Sequence, residues 1–221
     1  MRYQHIARQQ RKLLVYFSGW GTPISIAKSL ELSNDFDLLI CYDYRDLNLE
    51  FDFSSYQEIY VVAWSLGVWV AERVLHAIPL TYAVAINGTG APKHDQFGIP
   101  TAVFEGTLAS LSEENLAKFE RRMCGKIALE NYRLLPEKRD FTEVKQELVH
   151  LNDCIMQDNR TGLLVWQKAI IGNKDKIIPT QNQLEYWQNQ PQTKIQLIDA
   201  EHYLFNHFSG WQKLLEGVTC S

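Results

Sequence analysis

Ser65, Asp175 and His202 are the residues whose types and order could perform chemistry together. A serine hydroxyl is a weak nucleophile. It needs a base within hydrogen-bond reach and an acid that orients the base. Ser65 lies in Ala63-Trp64-Ser65-Leu66-Gly67, a variant of the G-x-S-x-G turn in which a strand gives way sharply to a helix and one hydroxyl is lifted above a sheet. Strand and helix pass close together there, so the residues two before and two after the serine must be small. Ala63 and Gly67 meet that need, although Ala63 departs from the usual first glycine. Asp175 follows the apolar run Ala169-Ile170-Ile171, and His202 follows Leu197-Ile198. Serine, then acid, then histidine is the chain order that goes with this kind of turn. Asp199, three residues before His202, is a second candidate for the acid, and Asp43 is a third.

An ester-cleaving serine also needs donors for the oxyanion that develops in the transition state. The backbone N–H of Leu66, next to the serine, is one candidate. Trp20 is the other, since Gly19 and Gly21 on either side let the chain turn that N–H inward. Taken singly, each feature has a plainer explanation. A small-x-Ser-x-small turn is more often an ordinary junction, a lone aspartate is more often a turn residue or cap, and His5, His76, His94, His150 and His207 read as surface or satisfied core histidines. The combination in this order, each member after an expected strand, points to a serine hydrolase.

The elements that must position these residues are legible as apolar runs. Leu13–Phe17, Leu38–Tyr42, Ile59–Trp64 and Tyr82–Ile86 have strand length, and runs apolar on both faces fit a parallel sheet covered by helices on each side. Helices are expected over Ile24–Leu32 and Leu66–Ala77, with an irregular link over Arg45–Tyr56. Val165–Ile171 and Lys194–Ile198 read as the late strands, Thr180–Trp187 as the helix between them, and Thr101–Phe104 as a possible further strand. Between them Ser112–Cys124, Lys126–Leu134 and Phe141–Asp158 read as helices. We expect one α/β domain over 1–221, with 105–160 forming a helical lid over the carboxyl ends of the strands.

Composition narrows the function classes. The 221 residues suffice for one domain with a sizeable core, and 46% hydrophobic with 22% charged residues is ordinary for a globular protein. The net charge of −4 argues against general nucleic-acid binding. No signal peptide or membrane span is apparent. Cys41, Cys124, Cys154 and Cys220 form no C-x-x-C pair, so neither a metal site nor a disulfide framework is expected. The expectation is a cytoplasmic monomer with reduced thiols and no cofactor. The lid is locally basic. Lys118 to Asp140 contains Lys118, Arg121, Arg122, Lys126, Arg133, Lys138 and Arg139 against four acids. Lys118, Arg121, Arg122 and Lys126 share a helix face, with Leu116, Phe119, Met123 and Ile127 roughly opposite. Such a face is most often simply solvated. It would also suit an acidic partner delivering a greasy substrate.

These residues match a known family. Phe17-Ser18-Gly19-Trp20-Gly21, Ile40-Cys41-Tyr42-Asp43-Tyr44, Val62 to Arg73, Ile86-Asn87-Gly88-Thr89-Gly90 and Phe119 to Gly125 span most of the chain. The chain resembles the α/β-hydrolases, and more narrowly the pimeloyl-acyl-carrier-protein methyl ester esterases of biotin synthesis, of the short BioG type. The resemblance implies an α/β-hydrolase fold, Ser65 as nucleophile, Asp175 as acid, His202 as base and Trp20 with Leu66 as oxyanion donors. It implies an acyl-carrier protein bearing a methyl-pimeloyl chain as partner. Phe119 and Met123 would then meet the acyl chain, and Arg121, Arg122, Arg133 and Arg139 the carrier. Ser18 stands where many relatives have histidine, a change that leaves the backbone donors in place. A generic short-chain carboxylesterase, an acyl thioesterase and a non-catalytic hydrolase-fold binding protein are the alternatives.

Overall fold

The computed structural model describes residues 1–220. Its strands are β1 (Arg2–Ile6), β2 (Lys12–Phe17), β3 (Phe36–Tyr42), β4 (Glu58–Trp64), β5 (Tyr82–Ile86), β6 (Lys168–Gly172) and β7 (Lys194–Ile198). They form one sheet in the order β1-β3-β2-β4-β5-β6-β7. All pairings are parallel except that of β1 with β3. The apolar runs are buried on both sides, and the strand alternation divides them between two core layers. Leu13, Val15 and Phe17 of β2 enter one layer, and Leu14 and Tyr16 enter the other. The first layer is covered by α2 (Leu66–Leu75), α5 (Phe141–Gln157) and α6 (Thr180–Gln188), and the second by α1 (Ser25–Ser29) and α7 (Trp211–Glu216). The expected mostly parallel sheet with helices on both faces is therefore present.

Between β5 and β6 the chain leaves the sheet for α3 (Thr101–Ala109), α4 (Glu113–Arg133) and α5. The Ser112 hydroxyl caps α4 by accepting the Asn115 N–H, and the Asp140 carboxylate caps α5 by accepting that of Glu143. α4 breaks at Gly125, whose φ of 66° and ψ of −167° interrupt the helical path, so the two expected helices are the arms of one kinked element. Three expectations need correction. Thr101–Phe104 is no strand: β5 pairs directly with β6, leaving no slot in the sheet, and Pro100 immediately precedes the helix these residues open. Val165 lies outside β6 and is exposed. Ile127, expected on the inner face, is 88% exposed, because the kink breaks the helical phase of the second arm. Among the described residues, no helix is long and apolar enough to cross a membrane.

Candidate active site

β4 ends at Trp64 and α2 begins at Leu66, so Ser65 alone makes the turn. It does so with φ 58° and ψ −127°, a conformation that L side chains rarely adopt. The turn is held by the Ser65 N–H donating to the Ile86 carbonyl at 2.9 Å. The close approach demanded of the small residues is real. A Cβ added to Gly67 would stand 2.5 Å from the Ser18 carbonyl oxygen and 2.7 Å from that of Phe17. Gly88, after β5, has its own tight contact, with an added Cβ 2.5 Å from the Ser65 carbonyl oxygen.

Asp175 and His202 come to this turn from loops after β6 and β7, at the same carboxyl edge of the sheet. His202 Nε2 lies 2.9 Å from Ser65 Oγ, and His202 Nδ1 lies 2.8 Å from Asp175 Oδ2. All three residues are buried. A carboxylate facing Nδ1 favours the proton on that nitrogen, which leaves Nε2 as the acceptor of the serine O–H. Asp175 is itself fixed by four donors. Its Oδ1 accepts the N–H groups of Ile177 and Ile178 at 2.8 and 3.1 Å, and its Oδ2 accepts from His202 and from Gln183 Nε2 at 2.8 Å. The other candidate acids are elsewhere. Asp199 is exposed and pairs with Lys174, while Asp43 is bound to Arg45 and Arg139.

Two residues that carried no role in the sequence reading brace this geometry. Asn87, at φ 41° beyond β5, donates from Nδ2 to the carbonyls of His202 and Glu201 at 2.8 and 3.1 Å, and its Oδ1 accepts the Gly172 N–H at 2.7 Å. One side chain thus ties the loop bearing the acid to the loop bearing the base. Gln183 does the same for Asp175 from α6. The Asn87-Gly88 pair was a visible turn signal, whereas nothing local marks Gln183.

Ser65 opens onto a cleft between the sheet edge and the inserted helices. Ile99, Val103, Phe104, Phe119, Met123 and Leu148 make its walls apolar. Trp20 and Leu66 line the same cleft, and among the described residues neither backbone N–H is taken by another backbone carbonyl. The Trp20 indole is occupied structurally, donating from Nε1 to the Val144 carbonyl at 2.8 Å and packing edge-on against Phe119. Arg122 lines the cleft, and Arg121 and Arg133 are exposed on α4. Arg139 does not belong with them. Its guanidinium is buried against Glu147 on the next helix at 2.7 Å and Asp43 in the loop after β3 at 3.1 Å, so it is unavailable to a docking protein. Among the described residues, no cluster of His, Cys, Asp and Glu could hold a metal ion. Burial pushes the Cys124 thiol up to about 12, which keeps it protonated and unreactive.

This geometry agrees with what the chain is similar to. A peroxisomal α/β-hydrolase from Saccharomyces cerevisiae superposes with a TM-score of 0.56 at 13% identity, covering 98% of this chain and 79% of that one. At that identity the likeness shows the α/β-hydrolase fold alone. A crystal structure of selenomethionine-labelled BioG from Haemophilus influenzae superposes with a TM-score of 0.94 at 49% identity, over 97% of this chain and all of that one. A malonyl-[acyl-carrier protein] O-methyltransferase from Bacteroides fragilis is 43% identical over 201 residues, which are 88% of this chain but 40% of that longer protein. Residues 1–214 match the family described as pimeloyl-ACP methyl esterase BioG, and the chain belongs to that family.

Proposed function

We propose that this protein hydrolyses the methyl ester of a pimeloyl chain carried on acyl-carrier protein, releasing methanol, in biotin synthesis. The observation that carries the reading is the hydrogen-bonded row from Ser65 through His202 to Asp175 at the floor of an apolar cleft. Ser65 Oγ attacks the ester carbonyl as its proton passes to His202 Nε2. The negative charge that develops on the carbonyl oxygen is met by the N–H groups of Trp20 and Leu66. Collapse of the tetrahedral adduct expels methoxide, which takes the proton from Nε2 and leaves as methanol. Water then gives a proton to Nε2 and attacks the acyl-enzyme, and that proton returns to Ser65 Oγ as the free carboxylic acid departs and loses its remaining proton to solvent. Asp175 keeps the imidazole in the tautomer this cycle needs.

The cleft walls suit an acyl chain, with Phe119 and Met123 among the residues it would touch. The inserted helices α3 to α5 act as the lid. The carrier docks on α4. Arg121, Arg122, Lys126 and Arg133 have no ion-pair partner within 4 Å among the described residues, whereas Lys118 pairs with Glu114. Ile127 and Leu134, at 88% and 80% exposure, stand beside these free cations. A face that is both basic and apolar fits an acidic carrier better than it fits plain solvation. The likeness to part of a longer protein named for methylating a carrier-bound acid suits an enzyme that later removes such a methyl group. The test is complementation of a biotin auxotroph that lacks its methyl esterase. Wild type should restore growth without biotin and Ser65→Ala should not; equal growth with Ser65→Ala would refute the reading.

A further inference from the structure

The lid helix α5 touches the loop after β2 at three points, and each contact falls on the Trp20-Gly21 pair. The Val144 carbonyl accepts the Trp20 indole N–H at 2.8 Å. The Val144 side chain packs so closely on Gly21 that an added Cβ would lie 2.9 Å from its Cγ1, and Gly21 holds φ 68° there. Glu147, one helical step further along α5, has no exposed surface, and its Oε2 accepts the Gly21 N–H at 3.2 Å. That carboxylate has two further partners. Its Oε1 accepts the Tyr44 N–H at 3.0 Å, and its Oε2 also accepts from Arg139 Nη1 at 2.7 Å. Tyr44 in turn donates its hydroxyl to the Ser18 carbonyl at 2.8 Å. The loop from Ser18 to Gly21 is therefore gripped at both ends through one buried acid.

A carboxylate with no access to water is costly to bury, and burial accordingly pushes Glu147 upward while Arg139 and the two amides oppose it. Hydrophobic packing between α5 and the sheet would have been cheaper for stability alone. We propose that Glu147 is a positioning residue for the reaction: from the lid, it sets the backbone of the Gly19–Gly21 loop so that the Trp20 N–H stands where the oxyanion forms. This rests on the reading of Trp20 as an oxyanion donor. It makes α5 a working part of the site as well as its cover. Neither glutamine nor alanine can replace Glu147 here. Glutamine presents an NH2 group to either Tyr44 or Gly21, where only an acceptor fits.

The test compares Glu147→Gln with Glu143→Gln. The second variant, on the same helix, loses partly exposed ion pairs to Arg2 and Arg45 but touches no loop backbone. The substrate is a short soluble methyl ester. The probe is an alkyl trifluoromethyl ketone, which forms an oxyanionic adduct with the serine, and the matching methyl ketone serves as ground-state competitor. Loss of a whole oxyanion donor costs about 10²–10³ in kcat, so a displaced one should cost at least about tenfold. Glu147→Gln should lower kcat and trifluoromethyl ketone affinity by similar factors, with KM and methyl ketone affinity changed less than about twofold. Glu143→Gln should change none of them. A fall in kcat without a parallel fall in adduct affinity, or equal effects in both variants, overturns the proposal. If wild type binds the two ketones equally, the oxyanion reading itself fails and the proposal with it. Amide exchange in wild type gives a check that needs no variant. The Gly21 and Tyr44 amides should be protected, and a Gly21 amide exchanging like an open loop would refute the clamp.

Discussion

Substituting Gly67 by alanine tests the physical basis of the serine turn. The new methyl carbon would stand 2.5 Å from the Ser18 oxygen and 2.7 Å from the Phe17 oxygen. A carbon and an oxygen rest comfortably no nearer than about 3.4 Å, so the overlap approaches 1 Å. Phe17 ends β2, which is paired on either side by β3 and β4, and Ser18 follows it with its N–H bonded to the Cys41 carbonyl, so neither oxygen can move far. The strain must therefore be relieved by shifting α2, which begins directly after Ser65. A displacement of about 1 Å at a reacting group costs on the order of 10² in rate, and overpacking of this kind costs about 1–3 kcal/mol of stability. Steady-state kinetics on a short methyl ester, with thermal melting alongside, read both. Gly67→Ala should melt lower yet remain folded, with kcat down about 100-fold. Activity within threefold of wild type in a folded variant would refute the claim that this contact fixes Ser65 for the proposed reaction.

Asn87→Asp keeps the acceptor for Gly172 and the tolerance of positive φ but sets an anion against the His202 and Glu201 carbonyls. It should cost about 2–3 kcal/mol in chemical denaturation and lower kcat at least tenfold; unchanged kcat would remove the brace. Reversing Arg121 and Arg133 to glutamate should cut kcat/KM for carrier-bound ester about tenfold, through slower association, and leave a small soluble ester unaffected. Equal loss on both substrates would remove the docking surface. Asp43 offers a pH test. Burial alone would raise its carboxyl, but the hydrogen bond from Arg45 and the charges of Arg139, Arg45 and Arg2 outweigh burial and hold it below the usual range. A depressed folded value means that the stabilisation is present above the unfolded value of about 3.9 and is lost as pH falls through the folded one. The unfolding free energies of wild type and Asp43→Asn should differ by about 3 kcal/mol at neutral pH, and the gap should close in acid. A gap independent of pH contradicts the assignment.

The parallel strands were legible because each is buried on both faces and reads as a continuous apolar run. β1, with the sequence Arg2-Tyr3-Gln4-His5-Ile6, was not, since an exposed edge strand carries no such pattern. The break in α4 was legible at Gly125, but its consequence for Ile127 was not, because helical periodicity assumes an unbroken phase. The site followed the same rule. Ser65, Asp175 and His202 each sit just past a strand in a recognisable turn, so local sequence located them. Asn87 and Glu147 act through hydrogen bonds to backbone that is remote in sequence, Gln183 reaches back eight residues to the Asp175 carboxylate, and Arg139 is taken off the basic face by Glu147 on the next helix together with Asp43 from far earlier in the chain. Charge on a helix face reveals where a cation is, and only the packed structure reveals whether it is already spent.

Methanol release from methyl-pimeloyl acyl-carrier protein, followed for wild type and Ser65→Ala, bears most directly on the central claim. Wild type should release one methanol per carrier and leave the acyl thioester intact, and Ser65→Ala should lose activity by a factor on the order of 10⁴ or more. Release of the carrier thiol in place of methanol, or methanol release at a similar rate by Ser65→Ala, would contradict it.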